Sequence, residues 1–329
     1  MVALSLIKSS NSRLSSAISN QLVSVFVGAT SGIGEATLKK FAFYTHRPRA
    51  YFIGRSQDAA DRILVECKSL NPDGEYIFIK ADISLIRVVD QVCREIEAKE
   101  KQINILFLSS GIPSFDRTET TEGLHLLAAL NYYSRLRFVT NLLPLLQQAI
   151  NLRRVVSVGG GTLEGPLDAS DFQALRVPAS ELRGHLSTLI TLGLEAVAKE
   201  ATSVSFVHDY PGTVDTPFLR YMSEEMLRSY VLLPVDESGE RHLYLATSAR
   251  FPPAMIDGHD DVVSLEDDAA VALGTTGEAG GGVYIVGPDC EGPTSLVRDF
   301  LGEMRKSGLV KEVWRHTVGE FDRIVGDLR

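Results

Sequence analysis

Between Leu22 and His208, short and almost wholly apolar runs alternate with longer segments whose apolar residues recur at helical spacing. The runs are Leu22–Val27, Ala50–Ile53, Tyr76–Ile79, Ile103–Leu108, Val155–Val158 and Val204–His208. The intervening helical segments are Glu35–Tyr44, Ala59–Ser69, Val88–Lys99, Leu124–Ala149 and Leu182–Glu200. A strand that is apolar on both faces has both faces covered, and strands separated by helices pair in parallel. Past Tyr210 the pattern loosens. Ser223–Tyr230 and Glu237–Thr247 read as helices, Ala249–Gly282 as a long loop, Val283–Val286 as a seventh strand, and Ser295–Lys306 and Leu309–Asp327 as closing helices. The expectation is one α/β domain over residues 1–329, a doubly wound parallel sheet of about seven strands. Residues 1–20 form an N-terminal helical extension outside the core and 21–218 the ligand-binding core. Residues 219–329 supply a substrate-side lid, the last strand and a C-terminal helical cap.

A net charge of -9 argues against a nucleic-acid partner, since phosphate binding needs a basic face. Cys67, Cys93 and Cys290 are scattered without a CxxC pair, which fits a reducing, cytoplasmic setting and no metal site. Cys67 and Cys93 fall on apolar helix positions and read as small buried residues. No apolar run approaches the roughly 20 residues that span a bilayer. The opening stretch is interrupted by Lys8 and Arg13 and lacks the long apolar core of a signal peptide.

The strongest local signal is the turn Gly28-Ala29-Thr30-Ser31-Gly32-Ile33-Gly34, set between the first strand and the first core helix. Glycines there permit a tight turn and let backbone approach a pyrophosphate, which the helix N-terminus then binds. This is the dinucleotide-binding turn of a Rossmann-type fold. The second strand ends in Gly54-Arg55-Ser56, where an NAD site usually carries an acid; an Arg suits a 2′-phosphate, so Arg55 and Ser56 point to NADP(H). Asp82 after the third strand stands where a carboxylate accepts from the adenine amine, although Asp is also a common turn residue there.

These motifs resemble the short-chain dehydrogenase/reductase family. So do Ala81-Asp82-Ile83-Ser84, Asn131 inside a long helix, Leu142-Leu143-Pro144, the strand Arg154–Val158, and Pro211-Gly212 with Thr216 and Pro217. The match runs in order from about Val23 to Phe218. The resemblance implies that Pro211, Gly212 and Thr216 lie along the nicotinamide half of the cofactor. Leu108-Ser109-Ser110-Gly111 stands where the family has Asn-Asn-Ala-Gly, so Gly111 alone matches.

The family's chemistry implies a Ser–Tyr–Lys unit with a helper Asn. Asn131 matches. Gly160 falls where the Ser belongs, and the next helix carries no YxxxK. Counting back from Val197 and Ala198 puts Ser187 at the Lys site and Arg183 at the Tyr site; the alternative register, with His185 and Leu189 there, turns Glu195 inward at a cost. The candidates for the lost groups are His185, which titrates near neutrality, Arg183 as an anion binder, and Tyr210, which follows His208 and Asp209 at the end of the sixth strand. Tyr132 and Tyr133 read as packing or subunit-contact aromatics.

The family and the style of the motifs, similar to fungal specialised-metabolism members, imply a small, fairly apolar organic substrate. Three functions remain open: an NADPH-dependent reductase with a non-standard proton donor, a non-redox isomerase, cyclase or dehydratase holding a structural nucleotide, or a binding protein without turnover. Apolar residues on several faces of Leu124–Ala149 and Leu182–Glu200 lead to the expectation of a homodimer, since family members pair through these helices.

Overall fold

A computed structural model describes residues 2–112, 116–221, 224–255, 262–265 and 270–326. Its strands are β1 Val23–Val27, β2 Arg49–Gly54, β3 Glu75–Lys80, β4 Ile105–Leu108, β5 Arg154–Val158, β6 Ser205–Asp209 and β7 Val283–Val286. They form one sheet in the order β3-β2-β1-β4-β5-β6-β7, and every neighbouring pair is parallel. The strand order reverses between β1 and β4, so a ligand crevice opens at the carboxyl ends of these strands.

The helices are α1 Leu4–Ser12, α2 Leu14–Ala17, α3 Gly32–Tyr44, α4 Gln57–Leu70, α5 Ile86–Glu97, α6 Leu126–Ala128, α7 Ser134–Gln148, α8 Leu182–Ala198, α9 Glu224–Leu227, α10 Val235–Thr247, α11 Ser295–Lys306 and α12 Leu309–Val325. Two apolar cores flank the sheet. Within β1, Val23, Val25 and Val27 belong to one and Phe26 to the other, as the period of two requires. The Phe26 side is packed by α1 to α4 and α10, the other by α5, α7, α8, α11 and α12. Among the described residues, no helix is long and apolar enough to cross a membrane.

Three expectations change. The N-terminal helix does not lie outside the core: Ile7 and Leu14 are fully buried in the Phe26-side core. Asn11 donates from Nδ2 to the Glu240 carbonyl (2.9 Å) and carboxylate (2.7 Å), which anchors α1 to α10. The interrupting Lys8 sits on the exposed face, so it does not prevent docking. Second, the long helix expected over Leu124–Ala149 runs from Leu126 to Gln148 and is not α-helical throughout. A π turn, Ala129–Tyr133, separates α6 from α7.

Third, the apolar faces of α8 are already occupied. Leu182, His185 to Glu195 and Val197 are all buried, because α12 packs on the side away from the sheet. Glu195 does point inward, with Arg305 Nη1 2.7 Å from its carboxylate. A helix buried all round needs no second subunit to cover it. For α8, the apolar faces behind the homodimer expectation are covered within one chain.

Beyond β6 the chain runs out and back, closed by Asp215 N–H to Leu233 O and Leu233 N–H to Thr213 O, both 2.9 Å. The excursion carries a 3₁₀ turn, Pro217–Tyr221, and α9; Ser223, expected to start a helix, lies outside the described residues.

Candidate functional site

The glycine turn is built for two different close approaches. A Cβ on Gly28 (φ +82°) would stand 2.6 Å from the Ser110 nitrogen, and one on Gly34 2.5 Å from Ser109 Oγ, so these two glycines let the end of β4 pack against the turn. Gly32, the first residue of α3, differs. Its φ is +60° and its Cβ direction meets only Thr216, at 3.4 Å. Ser31 precedes it in extended conformation without a side-chain cap, so the first N–H groups of α3 are left for a ligand. Ile33 turns back and packs on the core.

Thr30 lies over Gly54, where any side chain would overlap it, so the turn and the end of β2 form one surface. Arg55 follows, exposed and without an ion pair among the described residues. Ser56 caps α4, its Oγ accepting from Ala59 N–H at 3.2 Å, which fixes the direction in which the chain leaves Arg55. Asp82 is exposed and forms a turn, with Oδ1 accepting from Ser84 N–H (3.1 Å) and Ser84 O–H (2.8 Å). On the far side, Pro211 and Gly212 (φ +77°) carry the chain off β6, and Thr216 returns over Gly32. The two halves expected of a dinucleotide cradle therefore meet across the carboxyl ends of β1 and β6. The residues fit a dinucleotide: a left-handed glycine whose Cβ direction meets no backbone, uncapped first amides of α3 and, at the end of β2, a cation without an ion pair among the described residues.

The chemistry end is different. A Cβ on Gly160 would overlap the Ser187 hydroxyl and stand 3.1 Å from Ser187 Cβ. The contact confirms that Ser187 of α8 faces Gly160, and it fills the space a serine on the β5 loop would need. Ser187 Oγ donates to Arg183 O at 2.8 Å. Arg183 itself is exposed at the start of α8. Gly165 and Gly184 touch backbone to backbone, with Gly165 N–H donating to Gly184 O at 3.2 Å, and Thr188 Oγ donates to Gly165 O at 2.7 Å. The loop after β5 is thus clamped onto α8 through small residues.

His185, expected as an acid–base group, is fully buried in this clamp. Its Nδ1 accepts from Asp168 N–H and its Nε2 donates to Phe172 O, both at 3.3 Å. Burial lowers its pKa, and both nitrogens are committed to backbone. It holds the loop and is withdrawn as a catalytic candidate. Tyr210 stands half-buried just past β6, its N–H bonded to Val286 O at 2.8 Å. Asn131 lies in the π turn with Oδ1 3.0 Å from the Cβ direction of Gly111, at the mouth of β4. Asn131 and Tyr210 therefore border the crevice on either side of β5, Asn131 beside the end of β4 and Tyr210 just past β6.

Beneath them lies a polar interior that sequence reasoning missed. Arg135, one helical turn after Asn131, is buried; its guanidinium donates to Ser157 Oγ (2.8 Å), Val158 O and Ser110 O (both 2.5 Å). Burial lowers its pKa to about 10. His208 is fully buried and neutral, pushed down to about 3 by burial and then by Arg135. Its Nε2 accepts from Gly160 N–H (3.1 Å) and its Nδ1 meets Thr191 Oγ (2.9 Å), which also donates to the Glu164 carboxylate (2.8 Å). Glu164 is pushed up to about 7 by burial, and its second carboxylate oxygen has no hydrogen-bond partner among the described residues. Asp209 pairs with His242 at 3.0 Å, which raises the histidine's pKa against its burial. The signal available in the sequence was Arg135 on the same helix face as Asn131, a charge among apolar neighbours.

Among the described residues, no group of His, Cys, Asp and Glu is arranged to hold a metal. The three thiols are buried, and burial raises all their pKa values, Cys67 and Cys290 to about 12.

Comparison with known proteins agrees with this architecture. A family model described as short chain dehydrogenase matches residues 22–161. The chain is 35% identical over 336 residues to oxidoreductase andH of Emericella variicolor, covering 99% of this chain and 98% of that one. It is 30% identical to the short-chain dehydrogenase/reductase SAT2 of Stachybotrys chartarum, covering 93% of each. Among solved structures, a short-chain dehydrogenase from Sphingobium yanoikuyae in complex with NADPH superposes with a TM-score of 0.51 at 17% identity, over 68% of this chain and 82% of that one. The chain is a member of the short-chain dehydrogenase/reductase superfamily.

Proposed function

We propose that this protein is an NADP(H)-binding reductase that acts on a small, fairly apolar organic substrate with a proton donor other than the family's tyrosine. The observation that carries the reading is the pairing of a left-handed Gly32 at an uncapped helix start with an exposed Arg55 at the end of β2, which has no ion pair among the described residues. Gly28, Thr30, Ser31, Gly32, Ile33 and Gly34 shape the pyrophosphate end, Arg55 and Ser56 the 2′-phosphate end, and Asp82 the adenine end. Gly111, Pro211, Gly212 and Thr216 line the nicotinamide side. When bound, the nicotinamide supplies or accepts hydride. Asn131 and Tyr210 border the place where that would happen: Asn131 orients a carbonyl or a water, and Tyr210 offers a phenolic proton. Arg183 holds an anionic group at the rim.

One observation favours a second reading. The Gly160–Ser187 contact closes the position of the family's serine, and Arg183 and Ser187 replace the family's phenol and amine. A scaffold altered in this way also suits a non-redox isomerisation or dehydration with the nucleotide as a structural element. The discriminating experiment offers the protein and NADPH a panel of simple ketones, quinones and enones. Reductase function predicts loss of the nicotinamide absorbance band in step with product, with simple ketones turned over poorly. Conversion of a substrate with that band unchanged would transfer the assignment to the second reading.

A further inference from the structure

The π turn that carries Asn131 is held from outside by the C-terminal helix. A π turn is less favourable than continuous α-helix and persists where its surroundings stabilise it. Its displaced carbonyl, Leu130 O, accepts from both Ser110 Oγ and Ser134 Oγ at 3.2 Å. The two residues after Asn131 are Tyr132 and Tyr133, both without exposed surface. Tyr132 OH meets Thr317 Oγ at 2.5 Å, and Tyr133 OH meets His316 Nε2 at 2.6 Å. Consecutive tyrosines of the turn are thus bonded to consecutive residues of α12. Room for Tyr132 comes from Gly193 of α8, where a Cβ would lie 2.9 Å from the ring. His316 also stacks on Phe172 at 4.8 Å between centroids, and Phe172 O is the acceptor that holds His185. Burial lowers the His316 pKa.

We propose that His316 and Thr317 are positioning residues for Asn131: through Tyr133 and Tyr132 they hold the π turn that aims Asn131 at Gly111 and the crevice. The function of Asn131 rests on the reading given above; the mechanical coupling does not. Removing the Thr317 or His316 partner takes away a bond that holds the π turn against α12, and the turn then loosens.

The test uses the full chain with Thr317→Val, His316→Phe and His316→Gln, read by amide hydrogen exchange and by NADPH fluorescence titration. Thr317→Val and His316→Phe should speed exchange across residues 129–133 by about tenfold or more, while β1, β4 and β5 stay protected. His316→Gln, which retains a polar partner, should restore protection. NADPH affinity should be unaltered, and kcat for any carbonyl probe that is turned over should fall without a change in KM for NADPH. If Thr317→Val misfolds, Tyr132→Phe/Thr317→Val removes both hydroxyls, leaves nothing unsatisfied, and should fold with the same loosened turn. Unchanged exchange at residues 129–133 in the folded variants, or no difference between His316→Gln and His316→Phe, would overturn the proposal. Failure of the unmodified protein to bind NADPH would instead count against the nucleotide reading and leave the exchange result intact.

Discussion

Gly160 and Ser187 show how far a missing side chain is compensated by its neighbour. The glycine is legible in the sequence as a vacancy; that a hydroxyl from α8 occupies the vacated space is not, because it depends on how closely the β5 loop approaches the helix. Gly160→Ala should therefore destabilise by about 1–3 kcal/mol through overpacking. Ser187→Ala added to it should recover most of the loss, since contact partners do not behave additively. A thermal melt of the two single variants and the double variant checks this; simple additivity would mean that the two residues do not touch. Glu164 gives a second residue-scale test. Its folded pKa of about 7 lies above the ordinary carboxyl value of 4.5, so its contribution to stability is full below 4.5 and is lost as pH rises toward 7. The loss amounts to about 3 kcal/mol. His208, depressed to about 3, works in the opposite sense and adds stability as pH rises from 3 toward 6.5. Glu164→Gln should leave only the rising limb between pH 4.5 and 6.5 in denaturant titrations. A variant that keeps the unmodified protein's pH profile would show that Glu164 is ionised in the fold. Glu164 does not announce its burial, since it sits among loop residues; His208 closes the apolar run Val204–His208, but its bond to the β5 loop leaves no mark in the sequence.

At the scale of elements, the seven strands and their order of appearance follow directly from apolar runs such as Val155–Val158 and Val283–Val286, which need two covered faces. The seventh strand, β7, has the bounds that its four-residue apolar run suggests. The break between α6 and α7 is not legible, because Ala129–Tyr133 keeps apolar character through the turn and a one-residue bulge leaves no compositional mark. The same limitation explains His185. Its position on α8 was correct, but its two bonds come from Asp168 and Phe172, in a loop with no periodic signal. His185→Asn, which provides a donor and an acceptor on a shorter side chain, should cost stability of about 1–3 kcal/mol while nucleotide affinity stays unchanged. Loss of NADPH binding in a folded His185→Asn protein would return the residue to the site.

On the scale of the whole molecule, the C-terminal helices decide the reading. The sequence shows α8 apolar on several faces and leaves open whether a second copy or the same chain covers them. α12 supplies the cover: Val313, Thr317, Phe321 and Ile324 are buried, and Arg137 lies 5.0 Å over the Phe321 ring. The protein should sediment as a monomer at micromolar concentration; a dimer that persists on dilution would show that another surface pairs. The central claim concerns the nucleotide, and its direct measurement is a pair of fluorescence titrations with NADPH and NADH on the unmodified protein and on Arg55→Ala. The account predicts NADPH binding about 10–100-fold tighter than NADH, with Arg55→Ala losing most of that margin and little NADH affinity, as expected for a charge-assisted bond to a 2′-phosphate. Equal affinities for the two nucleotides in the unmodified protein, or a preference that Arg55→Ala leaves untouched, would contradict it.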